Sequence, residues 1–252
     1  MIVDGPLISG KLVRRYKRFL MDLELDDGSL LTVHCPNSGS MEGCLEPGAR
    51  VLASPGKGKG RKLSHSAEWI ELAIGWVGIN TMRTNQIARE ALLERWIPEL
   101  AQYDQVRPEY KISSSSRIDF LLQGNGLPDC YVEVKNTTLP MPQGAIAFPD
   151  SSTERGRKHL RELILARQRG IRAVMLYVVN RPDGEFFRAA HEKDPQYADL
   201  LCQALQSGVE ALAYRTLIQP PAVRLDRPIP IKIDEQCNSN LSSGEQPQSE
   251  DR

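Results

Sequence analysis

Arg117-Ile118-Asp119-Phe120 and Tyr131-Val132-Glu133-Val134-Lys135 flank the run Gly124-Asn125-Gly126-Leu127-Pro128-Asp129. The middle run consists of turn formers, so the flanks read as two strands joined by a short hairpin loop. In the second strand Tyr131, Val132 and Val134 are apolar, yet Glu133 and Lys135 stand two residues apart and share one face. The first strand brings Asp119 into the same neighbourhood. Two carboxylates and an ammonium beside a hydrophobic sheet are costly to desolvate unless they are paired or given a metal. A metal-dependent phosphodiester-cleaving site needs this arrangement.

Elements on either side cover that sheet. Ahead of it, Ile87, Ala91, Leu92 and Trp96 recur at helical spacing, predicting a helix over 84–97 that Pro98 ends. Behind it, Ser151-Ser152-Thr153-Glu154 has capping-box spacing and opens a helix to about Arg169, stopped by Gly170. Ala173 to Val179 is a continuous apolar strand of the kind buried on both faces. Asp194-Pro195 starts another helix, closed by Gly208, and Val209 to Leu217 is the last clear strand. That strand–helix–strand order is a βαβ crossover and implies parallel pairing.

Upstream of Asn80 the chain is β-rich. Strand-like stretches at Leu12 to Leu25, Leu30 to Val33, Ala49 to Ala53 and Trp69 to Val77 alternate with turns such as Asp26-Asp27-Gly28-Ser29. Short strands at this spacing suggest a small barrel or sandwich, about the size of an OB-type barrel. The expected organisation is an OB-like barrel over 1–79, a mixed-sheet α/β domain over 80–234, and a disordered polar tail over 235–252.

Composition excludes several classes. The 252 residues hold 32 Lys+Arg and 32 Asp+Glu, so net charge announces no polyanion partner. The cations are clustered, however. Arg14, Arg15, Lys17 and Arg18 crowd one segment, and Lys57, Lys59, Arg61 and Lys62 a Gly-Lys loop. Arg155, Lys158 and His159 fall at the start of the long helix. A neutral sum can hide basic patches, although solvated charge explains any single cluster equally well. Five cysteines without C-x-x-C spacing argue against a disulfide framework and a structural zinc site. His34, Cys35 and Cys44 fit no standard zinc spacing. The N-terminus does not read as a signal peptide and no stretch reaches the ~20 apolar residues of a membrane span, so a cytoplasmic location is expected.

As candidate chemistry, Asp119 and Glu133 are ligands for Mg²⁺ or Mn²⁺, and hard oxygen donors suit such ions. The Val134 carbonyl is an additional candidate ligand. Lys135 would orient water or offset phosphate charge. Glu90 offers a third acidic group from the preceding helix. The plain alternatives are a salt bridge across a hairpin for the triplet, an exposed helix glutamate for Glu90, and a structural histidine for His159. In Pro36-Asn37-Ser38-Gly39-Ser40-Met41, the amides and the Asn37 and Ser38 side chains are candidate phosphate or sugar contacts.

Several of these segments together resemble the sugar fermentation stimulation protein A family. They are Arg14 to Phe19, His34-Cys35-Pro36-Asn37-Ser38-Gly39-Ser40-Met41, Ser116-Arg117-Ile118-Asp119-Phe120, Tyr131 to Lys135, and Thr153-Glu154-Arg155-Gly156-Arg157-Lys158-His159-Leu160. The resemblance runs from about Leu7 to Leu217. It implies an N-terminal OB-like domain, a C-terminal domain like the PD-(D/E)xK nucleases, and DNA binding. In the nuclease pattern the first acid maps to Asp119, E-x-K to Glu133 and Lys135, and the helix acid to Glu90. Two functions follow. One is a DNA-binding protein with little sequence preference and a regulatory use. The other is a Mg²⁺- or Mn²⁺-dependent nuclease acting on DNA or RNA. The oligomeric state, a homodimer included, is left open.

Overall fold

The first six strands are β1 (Ile8–Tyr16), β2 (Leu20–Glu24), β3 (Leu30–His34), β4 (Arg50–Pro55), β5 (His65–Leu72) and β6 (Gly75–Gly78). The computed structural model describes residues 1–56, 62–113 and 116–233, so Lys57, Lys59, Arg61 and the tail 235–252 lie outside the described residues. β1 pairs antiparallel with β2 and β4, β2 with β3, and β4 with β5. A parallel contact at His34↔Ser66 joins β3 to β5 and closes a five-stranded barrel, from which β6 extends off β5. Its interior is filled by Leu12, Met21, Leu23, Val33, Val51 and Ile70.

The stretch from Leu12 to Leu25 is therefore two strands rather than one. The chain reverses at Lys17 and Arg18, whose φ values of 46° and 64° lie in the left-handed region. No Gly, Asn or Pro marks that turn, which is why the sequence conceals it. Trp69 to Val77 likewise divides into a hairpin around Gly75, whose φ of 111° suits glycine.

The second part begins with α1 (Thr84–Leu93), β7 (Gln105–Lys111), β8 (Arg117–Gln123) and β9 (Cys130–Thr137). It continues with β10 (Leu139–Met141), β11 (Ala145–Phe148), α2 (Glu154–Gln168), β12 (Arg172–Val179), β13 (Phe186–Ala189), α3 (Pro195–Gln206), β14 (Glu210–Gln219) and β15 (Ala222–Pro228). The main sheet has the order β15-β14-β12-β9-β8-β7. Its centre, β9-β12-β14, is parallel and the outer pairings are antiparallel. α2 and α3 are the crossovers that parallel pairing requires.

α1 packs Ile87, Ala91 and Leu92 against Val132, Val134, Val174 and Leu176 on one face. α2 and α3 pack Leu160, Leu163 and Leu201 against Met175 and Tyr177 on the other. α1 ends at Leu93 rather than near residue 97, leaving Trp96 exposed. β15 and the three-stranded sheet β10-β11-β13 went unread because most of their strands are very short and none stands out by apolar periodicity.

The two parts share a core, since Val3 and Trp69 pack with the α1 face of the main sheet. Residues 1–3, read with the barrel, instead pair with the far edge: Ile2 bridges Ala222, and the Val3 amide donates to the Pro221 carbonyl at 2.9 Å. Cys35, Cys44 and Cys130 are free and buried. Among the described cysteines, Cys202 alone is disulfide-bonded. Among the described residues no helix is long and apolar enough to cross a membrane.

Candidate functional site

β8 and β9 pair from Leu122↔Cys130 to Phe120↔Val132 and then part, while β8 stays with β7 as far as Lys111↔Arg117. The Asp119 side chain occupies the opening. Its Oδ2 accepts from the Val134 amide at 2.7 Å, so a carboxylate takes the place of a ladder carbonyl. Its Oδ1 accepts from Asn85 Nδ2 on α1 at 2.8 Å. The Val134 amide thus ties Asp119 directly to β9.

Glu133 and Lys135 leave β9 together, as the two-residue period requires. Lys135 Nζ donates to Glu133 Oε1 at 2.6 Å. His159 from α2 brings Nδ1 to 2.9 Å from Lys135 Nζ and also contacts Glu133 Oε1. Glu133 is only 2% exposed, and its Oε2 is buried with no hydrogen-bond partner. Burial alone would raise the Glu133 carboxyl, but the Lys135 charge and the His159 contact outweigh it and hold the group at about 2. Asp119 moves the other way. Burial and the Glu133 charge push it up, against the Val134 amide, Lys135 and Asn85.

These groups face a cavity of about 720 Å³ between the barrel and the main sheet. The barrel contributes Arg18 and the loop Asn37-Ser38-Gly39, and the start of α2 contributes Thr153, Arg155 and Gly156. Thr153 caps α2, its Oγ1 accepting from the Gly156 amide at 3.0 Å. Asp150 joins the two walls, accepting from Ser40 Oγ at 3.3 Å and from the Met41 amide at 3.4 Å.

The other expected contacts divide into those that reach the cavity and those already engaged elsewhere. Arg15 donates to the carbonyls of Arg18, Asn37, Gly39 and Ser40, so it builds the loop from within. Asn37 is buried, its Oδ1 accepting from the Gly39 amide and its Nδ2 donating to the Ile79 carbonyl. Arg14 is paired with Asp22 at 2.8 Å and Lys158 with Glu162 at 3.7 Å. Lys62 is exposed and lines no part of the cavity. Lys17 is exposed on the turn beside Arg18.

Glu90 does not join the acidic pair. It contacts the Met1 amino group and lines a separate cavity with Trp96 and Arg224. Five residues along a helix is about 140° of rotation, so α1 presents Asn85 to Asp119 and turns Glu90 away. His159 is buried against Glu133 and Lys135 and does not stand over an open surface.

Asn85 and Glu109 escaped the sequence reading. Asn85 is an ordinary polar residue in a helix. Glu109 lines the cavity from β7, opposite Asp119, with a φ of 52° in the left-handed region. Nothing in a strand pattern signals that backbone. Among the described residues, no group of three or more His, Cys, Asp or Glu side chains has metal-holding geometry. Asp119 and Glu133 are the sequence-expected donors that the cavity brings together. They fit a hard ion that keeps several waters: two carboxylates face one cavity, and one buried oxygen lacks a partner.

Residues 82–222 match the family model described as "Sugar fermentation stimulation protein RE domain", and residues 13–79 match "SfsA N-terminal OB domain". The chain is 46% identical over 235 residues to the sugar fermentation stimulation protein homolog of Geobacter sulfurreducens, covering 93% of this chain and 100% of that one. It is 50% identical over 234 residues to the homolog of Citrifermentans bemidjiense, covering 92% and 100%. The solved structure of Pyrococcus furiosus SfsA in complex with Ca²⁺ superposes with a TM-score of 0.83 over 92% of this chain and 98% of that one. At 24% identity that likeness is one of fold.

Proposed function

The chain belongs to the sugar fermentation stimulation protein family, and we propose from the geometry of its cavity that it binds DNA with little sequence preference. One observation carries this reading. The barrel loop with Arg18 and the start of α2 with Arg155 face the same cavity as Asp119, Glu133 and Lys135. Phosphate is the ligand that cations and backbone amides of this kind recognise, and such contacts position a nucleic acid without reading its bases. RNA offers the same phosphates. Affinity should therefore fall steeply with salt.

A second reading, metal-dependent phosphodiester hydrolysis, is favoured by the unpartnered Glu133 Oε2 beside Lys135. Asp119 and Glu133 would hold a divalent cation, Mg²⁺ or Mn²⁺, which supplies Lewis-acid stabilisation of phosphate charge and a more acidic bound water. A fold relative solved with Ca²⁺ supports testing hard cations as a class. Lys135 offsets charge on the phosphate, and His159 holds Lys135 and Glu133 in place. In the step itself, a water oxygen bonds to phosphorus and the bond to the leaving sugar oxygen breaks. The water's proton is lost to solvent and the leaving oxygen takes one up.

Calorimetry separates the two readings. Mn²⁺ is expected to bind the wild type and to release no measurable heat with Asp119→Asn. Cleavage of single-stranded, duplex and branched DNA and RNA with Mg²⁺ or Mn²⁺ should vanish in Glu133→Ala. If no substrate is cut, or the variant cuts equally well, the hydrolytic reading fails and binding remains. If the wild type binds no nucleic acid at low salt, the first reading fails.

A further inference from the structure

Resting on the reading that the cavity takes nucleic acid, we infer that its preferred ligand is a single strand. One of its bases stacks on Phe19, and its backbone runs past Lys17 and Arg18 into the cavity. Phe19 is 43% exposed, whereas Met21 and Leu23 on the strand that follows it are completely buried. A lone exposed apolar residue is ordinary. Phe19 differs through its setting. It completes the β1–β2 turn, where Lys17 and Arg18 adopt left-handed backbone and the Phe19 amide donates to the Lys17 carbonyl at 2.7 Å. Among the described residues, no carboxylate pairs with either cation.

That turn is fastened to the cavity wall. The Arg15 guanidinium donates to the Arg18 carbonyl on one side and to the Asn37 and Gly39 carbonyls on the other. The Cys35 amide donates to the Phe19 carbonyl at 2.9 Å. Phe19, Arg18 and the cavity loop thus form one braced unit. The His34 ring lies beside Phe19, centroids 6.4 Å apart and planes tilted by 30°, which widens the aromatic surface. Arg18, the next residue, lines the cavity that holds Asp119 and Glu133.

An aromatic face next to a cationic groove is how single strands are held without sequence preference, because every base has a π-face to offer. A duplex keeps its bases stacked inside and has none to give Phe19. Size points the same way. The cavity, about 720 Å³, falls within the range of small-ligand pockets. It has room for a short piece of one chain. Glu133, at 2% exposure, is also reached more readily by a flexible backbone than by a rigid rod.

Fluorescence anisotropy on the full chain tests this, with EDTA present to prevent cleavage. The probes are a labelled single-stranded oligonucleotide and its blunt duplex of equal length. The single strand should bind more tightly. Phe19→Ala and Phe19→Leu should each weaken it by about tenfold, as expected for one lost base stack, and Phe19→Trp should keep it. The duplex should change by less than about twofold in all three. Phe19→Leu keeps the apolar bulk and removes the ring, so a shared loss with unchanged circular dichroism reports stacking rather than folding. Equal binding of the two probes, or undiminished single-strand binding by Phe19→Leu, overturns the inference while leaving nucleic-acid binding intact. No binding of either probe by the wild type overturns both.

Discussion

Arg15 and Arg18 lie three residues apart in one basic run, and the fold gives them opposite tasks. Arg15 spends its donors on four backbone carbonyls, three in the Asn37-Ser38-Gly39-Ser40 loop and one, Arg18, in its own turn. Arg18 lines the cavity. Arg18→Ala should weaken nucleic-acid binding, reduce the slope of log affinity against log salt by about one, and leave the urea midpoint unchanged. Arg15→Ala should lower stability by about 1–2 kcal/mol, because charge-assisted bonds to several carbonyls are lost. If the two variants are indistinguishable in urea, this division is wrong. The run itself carries no mark of the difference, since any arginine beside a turn looks solvated until the turn's carbonyls are located. Glu133 and Lys135 were legible from the two-residue strand period alone. Asn85 was not, because its task depends on where α1 meets β8.

At the level of elements, α2 positions His159 and Arg155, and Asp194 fastens its first turn. The Asp194 carboxylate caps α3 by accepting from the Tyr197 amide at 3.0 Å, accepts from the Thr153 amide at 2.8 Å, and pairs with Arg157 at 2.7 Å. Burial pushes this carboxyl up, but the two amides and the guanidinium prevail and hold it below the ordinary 3.8. The native state therefore binds fewer protons than the unfolded chain. The resulting stability is present above 3.8 and is lost as pH falls below that value through the folded pKa. Asp194→Ala should cost about 1–2 kcal/mol at neutral pH through the lost cap, and part of the acid-induced loss of stability should disappear. Urea midpoints at neutral and acid pH check both; an unchanged acid limb would count against the assignment. The helix starts were readable from the capping-box spacing of Ser151-Ser152-Thr153-Glu154 and from Asp194-Pro195, although the cap of α2 is Thr153 and not Ser151. Their union through one carboxylate was not, because 41 residues separate them.

For the whole molecule, the cavity exists only because barrel and main sheet are joined. Glu68 on β5 is completely buried and binds Arg83, Asn80 and Ser54 at the junction. Arg83→Met strands that carboxylate without its cation and should cost about 3–5 kcal/mol. Because Trp69 of the barrel shares a core with α1, both parts should unfold in one transition. Tryptophan fluorescence and far-ultraviolet circular dichroism should coincide in the wild type and shift together in the variant; separate midpoints would show that the halves are independent. The sequence by itself determined a β-rich first part, the two helix-covered faces of the sheet and the shared face of Glu133 and Lys135. Those features follow from turn residues, caps and short-range periodicity, which are local. Only the tertiary structure decided that Asn85 and not Glu90 meets Asp119, that Arg15 and Asn37 build a loop, and that Glu109 enters the cavity. Each of those depends on which distant backbone group or face comes within hydrogen-bonding reach, and no local pattern encodes that distance.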